Sequence, residues 1–139
     1  MACYISSEKA TSLAKKYSAD LHVLHLTTER EIELFEAKPT KDKKITTEAC
    51  IHHLIFTSDD YEEWGNFIKC NPSIKAPNNR EALRQALKNN QIDIIATDHA
   101  PHTRDEKSLP YSEAPAGIPL IQHSFCLLYT SDAADEKRW

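Results

Sequence analysis

Glycine is scarce in this sequence: Gly65 and Gly117 are the only two among 139 residues. Average proteins contain about 7% glycine. Phosphate-binding loops need several glycines close together, so that the backbone can approach the phosphate. The sequence therefore excludes a glycine-rich phosphate loop.

Paired cysteines are also missing. The four cysteines are Cys3, Cys50, Cys70 and Cys126, and no two of them form a CxxC pair. This spacing indicates neither a zinc knuckle nor a disulfide framework. Unpaired cysteines are typical of a reducing compartment, so we expect a cytoplasmic protein.

Excess positive charge and long apolar runs are absent as well. The net charge is -4, which gives no basic surface for nucleic acid. No apolar run approaches the roughly 20 residues needed to cross a bilayer. The residues after Met1 lack the apolar core of a secretion signal. We therefore expect a globular protein with no membrane or nucleic-acid partner.

The first half of the chain predicts alternating helices and strands. Ser6 can cap a helix whose apolar residues recur at helical spacing. The segment LHVLHL, residues 21–26, alternates like a strand and places His25 near its carboxyl end. Thr28 and Glu31 form a capping box, which predicts a helix that stops before Pro39. A second strand is expected within residues 45–56.

The second half repeats this order. Residues 57–77 are predicted to form a long irregular loop, of the kind that often carries function. Asn78 and Glu81 open a predicted helix that ends at Asn89 or Asn90. A strand follows directly. Helices alternating with strands indicate an α/β fold with a parallel sheet.

The last predicted strand begins the stretch IDIIATDHAPH, residues 92–102. Its β-branched residues predict a buried parallel strand that ends at Asp98. A carboxylate there is costly unless it is paired or metal-bound, so it indicates a site, although Asp98 could instead only cap the next loop. His25 lies at the end of another strand and adds an imidazole, so the two residues together favour a metal site.

Other polar residues leave alternatives open on sequence alone. His102 follows Asp98 after a rigid proline and could hold a substrate group. Asn71 offers an amide for a planar ligand, but its spacing favours a simple turn residue before Pro72. His52 and His53 are adjacent, and on a strand they would face opposite sides, so at most one could bind a metal with the others.

Four segments in this order resemble the bacterial dihydroorotases of the amidohydrolase superfamily. They are LHVLHLTTERE, KCNPSIK, ATDHAPH with the following EK, and APAGIPLIQHS. The resemblance implies a metal-dependent (β/α)8 barrel that interconverts N-carbamoyl-L-aspartate and dihydroorotate in pyrimidine synthesis. Residues 1–125 would form part of that barrel, roughly strands six to eight.

The resemblance also assigns roles to individual residues. His25 matches a metal ligand, and Asp98 matches the carboxylate that touches the metal and moves the proton. Asn71 and His102 match residues that hold the substrate. Ala116 and Gly117 match a loop whose backbone meets the substrate.

The resemblance implies zinc, with two ions in a complete enzyme, and a small-molecule substrate. A homodimer or an association with aspartate transcarbamoylase would be compatible with it. The first-strand HxH, the metal-bridging residue and the strand-five histidine have no counterpart here, so we expect this segment alone to be inactive.

Residues 126–139 change character abruptly. Back-translated, residues 126–136 resemble read-through of a transposase-type sequencing adapter. We expect residues 126–139 to be non-native, with a natural amphipathic tail as the alternative.

Two other functions remain open. One is another cyclic amidohydrolase, such as an allantoinase or a dihydropyrimidinase. The other is a metal-free, dihydroorotase-like scaffold subunit. The KCNPSIK loop argues against the first, and the retained His25, Asp98 and His102 argue against the second.

Overall fold

The computed structural model describes residues 2–127 and 129. The tail predicted to be non-native, residues 126–139, therefore lies outside the described residues apart from Cys126, Leu127 and Tyr129.

A sheet of three parallel strands organises the chain. The strands are β1 (Leu21–Val23), β2 (Ile45–Cys50) and β3 (Ile94–Ala96). β2 lies between the other two: Leu21 pairs with Ile45, and Glu48 pairs with Ile94. Parallel neighbours require long crossover connections, and helices lie within both of them. The predicted α/β class with a parallel sheet is confirmed.

Within residues 2–123, six α-helices accompany the sheet. They are α1 (Ala2–Tyr17), α2 (Glu29–Ile32), α3 (Ile51–Ile55), α4 (Tyr61–Trp64), α5 (Pro77–Lys88) and α6 (Arg104–Lys107). The same residues form three 3-10 turns, at Thr40–Asp42, Ser58–Asp60 and Gly65–Ile68. Among the described residues, no helix is both long and apolar enough to cross a bilayer.

The main core lies where α2 and α5 pack beside the sheet. Its buried members are Leu26, Ile32, Phe35, Ala49, Leu54, Leu83, Ala86 and Ile92. Ala49, on the central strand, is fully buried. A second cluster lies under the loops beyond the strand ends and consists of Ile51, Ile68, Cys70, Ile74, Ile118 and Leu120. Apolar burial of this kind is the main stabilising contribution to such a fold.

Several predicted helix boundaries are wrong. The first helix begins at Ala2 rather than after a Ser6 cap. The helix after the Thr28 capping box, which is present as predicted, already ends at Ile32. α5 begins at Pro77 without a side-chain cap, because proline at the first position needs no hydrogen bond from its own nitrogen. The predicted end at Asn89 is confirmed.

Two other predictions about regular structure also fail. Residues 57–77 contain α4 and two 3-10 turns rather than an irregular loop. β3 was predicted to be buried, but Ile94 and Ile95 are 48% and 40% exposed. β3 pairs only with β2 among the described strands, so its other edge is open. An exposed apolar strand at the edge of a sheet is expected to pair with another strand or to pack against another element.

Candidate functional site

The predicted metal ligands lie at one edge of the sheet. His25 follows the end of β1 by two residues, and Asp98 follows the end of β3 by two residues. Because β1 and β3 flank β2 and all three strands are parallel, their carboxyl ends share one edge. We call this the carboxyl edge. Open α/β sheets and barrels place their ligands at such an edge.

The backbone makes the same unusual turn at both residues. His25 has φ 38° and Asp98 has φ 44°, in the left-handed region that side chains rarely adopt. Asp and His are among the residues that tolerate it best. Strained backbone of this type is concentrated at functional sites, where the surrounding structure holds it. The half-buried His25 ring and the exposed Asp98 carboxylate are therefore placed by turns rather than by regular strand geometry.

The prediction that at most one of His52 and His53 could bind a metal assumed that both residues lie on a strand. They lie in α3 rather than on a strand, and both are buried. Their ring centroids are 4.2 Å apart. The helix begins directly after Cys50, the last residue of β2, so the central strand also delivers polar side chains to the carboxyl edge.

These buried groups are neutral in the folded protein. Burial, and then the nearby charge of His25, lowers the pKa of His52 to about 4. Burial, and then the charge of His52, lowers the pKa of His53 to about 3. Burial raises the pKa of the Cys50 thiol to about 12, and the Asp98 charge adds to this effect. His25, Cys50, His52 and Asp98 are thus close enough to influence one another electrostatically.

The predicted substrate residues divide between two loops. His102 Nε2 lies 3.2 Å from the carbonyl oxygen of Ala116, so His102 and the 116–117 loop are in direct contact. A Cβ at Gly117 would lie 2.4 Å from Ala100 Cβ and 3.4 Å from His102 Nε2. Gly117 also has φ 124°, which side chains rarely adopt. Glycine is therefore needed here for both space and backbone conformation.

Asn71 lies on the other loop, exposed and joined to Pro72 by a cis peptide bond. It helps to line a cavity of about 420 Å³ together with Tyr61, Gly65, Asn66, Lys69, Cys70, Ser73, Ile74 and Tyr111. The Gly117 N–H donates to the Lys69 carbonyl oxygen at 2.9 Å, which connects the two loops. Asn71 and Gly117 are therefore held in one assembly.

The residue that fastens this assembly, Lys107, was not predicted. Its side chain is only 2% exposed, and Nζ donates to the carbonyl oxygens of Lys69, Pro115 and Gly117 at 2.8–3.0 Å. Burial lowers the pKa of Lys107. The lysine was part of the EK pair in the sequence resemblance, but nothing in its local pattern indicates burial.

Zinc is the metal that the resemblance implies, and the side chains at the carboxyl edge include two possible ligands for it. An imidazole and a carboxylate are suitable ligands for zinc. Catalytic zinc usually has three protein ligands and one open position. The side chains of His25 and Asp98 therefore fit zinc in their chemistry and would supply two of the three.

Comparison with known proteins agrees with the fold and the motifs. No family model matches the chain. A dihydroorotase from Staphylococcus aureus is 39% identical over 118 residues, which cover 85% of this chain and 28% of the relative. A dihydroorotase from Thermus aquaticus is 41% identical over 110 residues, which cover 79% of this chain and 26% of the relative.

Solved structures share the fold. A dihydroorotase from Saccharomyces cerevisiae in complex with 5-fluoroorotic acid matches with a TM-score of 0.76 and 24% identity, over 94% of this chain and 38% of that one. A D-hydantoinase (dihydropyrimidinase) from Thermus sp. matches with a TM-score of 0.79 and 22% identity, over 93% and 30%. The chain is thus similar in sequence to dihydroorotases over most of its own length, and it spans a little over a quarter of the length of the curated relatives it matches.

Proposed function

We propose that this chain is the part of a dihydroorotase that carries the strand-eight carboxylate, and that the complete enzyme reversibly hydrolyses the cyclic amide of dihydroorotate. In this proposal residues 1–125 are roughly strands six to eight of a (β/α)8 barrel. The observation that carries it is the arrangement of His25 and Asp98 at the ends of β1 and β3, on one edge of a parallel sheet. The 39–41% identity to dihydroorotases supports the substrate.

Asp98 is the proposed proton carrier. Its carboxylate is exposed and follows the sheet edge, so it can reach both a water molecule and the leaving nitrogen of a bound cyclic amide. Asp98 would accept the water proton during attack and return it to the nitrogen as the ring opens. A divalent metal held by His25, Asp98 and further ligands would lower the pKa of the water and polarise the amide carbonyl. Zinc, with two ions in the complete enzyme, is our proposal for that metal.

The substrate would be held by the two joined loops. His102 is partly buried and contacts Ala116, so its ring is positioned to meet a substrate carboxylate. The Asn71 amide can both donate to and accept from the planar ring. Gly117 has no side chain, which allows the backbone to approach a ligand closely. Lys107 would keep this pocket in shape without touching the substrate.

A dihydropyrimidinase-type hydrolase is the second candidate. The D-hydantoinase structure matches with a TM-score of 0.79, so the fold suits this activity equally well. The two candidates differ in the substrate carboxylate, which dihydroorotate has and dihydropyrimidines lack. Comparing kcat/KM for dihydroorotate and dihydrouracil in the complete enzyme would separate them. A preference for dihydrouracil would contradict our assignment.

The proposal is tested with Asp98→Asn in the complete enzyme. The amide cannot accept the water proton, so kcat for dihydroorotate should fall at least about 100-fold. His102→Ala is the matched comparison: it should raise KM mainly, because its role is to hold the substrate. Metal content should be measured for both variants. If Asp98→Asn keeps near-normal kcat with metal bound, Asp98 is not the proton carrier.

A further inference from the structure

Beneath the carboxyl edge lies a second group of side chains whose atoms could hold a metal ion. One ligand atom from each of Cys50, His52 and His53 lies within 4.8 Å of the others, and all three residues are buried. None of them belongs to the His25 and Asp98 pair. A thiol and two imidazoles are the donor types that zinc and related soft cations prefer.

The hydrogen bonds of these histidines are incomplete. Both ring nitrogens of His52 and Nδ1 of His53 are buried and have no hydrogen-bond partner among residues 2–127 and 129. Buried polar atoms are almost always paired, because an unpaired one destabilises the fold. Three unpaired nitrogens in two adjacent rings therefore need an explanation, and a bound cation would supply a partner for one nitrogen of each ring.

His53 is also oriented as a metal ligand would be. Its Nε2 lies 2.9 Å from the carbonyl oxygen of Pro72. Because a carbonyl only accepts, Nε2 carries the proton, and Nδ1 is left with a free lone pair. Metal-binding histidines usually donate their second ring nitrogen to a backbone carbonyl or carboxylate in this way.

From this geometry we propose that Cys50, His52 and His53 bind one zinc-like divalent cation, separate from the proposed catalytic metal. The Cys50 thiol loses its proton to solvent, and its sulfur binds the ion together with one nitrogen from each ring. Ligands at 2.0–2.3 Å from a tetrahedral ion are roughly 3.3–3.8 Å apart. Because their ligand atoms already lie within 4.8 Å of one another, the three side chains need to draw together by at most about 1.5 Å when the ion enters.

Cys70 offers a matched control. It is also buried, and its sulfur lies 3.9 Å from His53 Nε2. It therefore lies beside the nitrogen that faces Pro72, and its own thiol donates to the Pro72 carbonyl oxygen at 3.2 Å. We assign Cys70 no part in binding the ion. Cys70→Ser changes a buried thiol next to the same ring but leaves the three proposed ligands intact.

The experiment uses cobalt(II) as the probe on the full-length protein after removal of its metals by a chelator. A thiolate bound to cobalt gives an intense near-ultraviolet charge-transfer band, and cobalt bound by His25 and Asp98 cannot, since neither has sulfur. We expect the band in the unaltered protein and in Cys70→Ser, and its loss in Cys50→Ser. His53→Gln should weaken cobalt binding, measured from the band, at least about tenfold.

The same measurement separates this inference from the proposed function. The pair His25→Ala and Asp98→Asn should lose turnover but keep the band. Circular dichroism of each variant identifies any that fail to fold, and metal-competition titration of His52→Gln then provides a second test. Absence of the band in the unaltered protein, its survival in Cys50→Ser, or its loss in Cys70→Ser would overturn the proposal.

Discussion

Buried polar groups are hydrogen-bonded differently at the amino edge of the sheet, where the strands begin, and at the carboxyl edge, where they end. At the amino edge, just before β2 and β3, Lys43 and Asp93 form an ion pair of 2.9 Å with side chains only 3% and 0% exposed. Thr40 and the Thr47 N–H also donate to the carboxylate, and Lys43 donates to the Asn90 carbonyl oxygen. At the carboxyl edge, His52 is fully buried, and its ring nitrogens make no hydrogen bond within the described part of the chain.

This difference separates stability from function within one small sheet. A buried charge that is fully paired holds the structure in a single arrangement. An unpaired buried donor or acceptor costs stability and persists only where something else binds it or uses it. The amino edge is therefore the rigid base of the segment, and the carboxyl edge is the part left open for ligands. Barrel enzymes divide their two faces in the same way.

Breaking the amino edge should have the largest effect on stability. Lys43→Met leaves the Asp93 carboxylate buried without its cation, which should cost about 3–5 kcal/mol. Lys44→Met is the control, because the Lys44 ammonium is exposed and donates to the Ser18 carbonyl oxygen, and it should change stability by less than about 0.5 kcal/mol. Denaturant unfolding of the full-length protein measures both. A loss below about 1 kcal/mol in Lys43→Met would remove the contrast between the edges.

On acidification, the stability that the carboxyl edge contributes should be lost at a higher pH than the stability that the amino edge contributes. The pKa values of His52 and His53 are about 4 and 3 when folded, below the ordinary 6.5, so the unfolded chain takes up protons first. Stability of the metal-free protein is therefore present above pH 6.5 and lost as the pH falls below it, by up to about 1.4 kcal/mol per pH unit for each histidine.

Asp93 behaves differently on acidification. Burial raises its pKa, but hydrogen bonds from Lys43, Thr47 and Thr40 outweigh burial and lower it overall. Its contribution is therefore present above its ordinary pKa of about 4 and lost only below that value. Unfolding measured from pH 7 to 3 should show two phases, and His53→Gln should reduce only the first. A single phase near pH 4 would contradict this order.

Gly117→Ala should have a smaller effect and sharpen the comparison at the carboxyl edge. The new Cβ would meet Ala100 Cβ at 2.4 Å, so we expect a loss of about 1–3 kcal/mol and a higher KM. Adding Ala100→Gly removes the clash but not the φ of 124°, so stability should recover only in part. Denaturant midpoints of the single and double variants, and their KM for dihydroorotate in the complete enzyme, check this. Full recovery would mean that space alone, and not backbone conformation, requires glycine.

The sequence predicted the layout of the fold because it rests on local patterns. The Thr28 capping box, the helix end at Asn89 and the order of strands and helices all depend on residues close in sequence. These signals also placed His25 and Asp98 after strands. The parallel arrangement then brings strand ends to a common edge without further information.

What the sequence did not predict depends on contacts between distant residues. The first helix begins early, and its Ser7 hydroxyl is buried against Glu31, 24 positions away. His52 and His53 were ambiguous because a short apolar run fits a strand or a helix equally well. The role of Lys107 follows from three carbonyl oxygens on two separate loops. No local spacing encodes such an arrangement.

The left-handed turn at Asp98 decides which substitutions there can be interpreted. Asn adopts a φ of 44° about as readily as Asp, so Asp98→Asn changes the chemistry of the side chain and leaves the chain path undisturbed. A β-branched residue such as Thr would oppose that φ and displace the loop that leads to His102. Variants at this position therefore report both on the chemistry of the side chain and on the backbone conformation. Only Asp98→Asn removes the proton acceptor while keeping the left-handed turn.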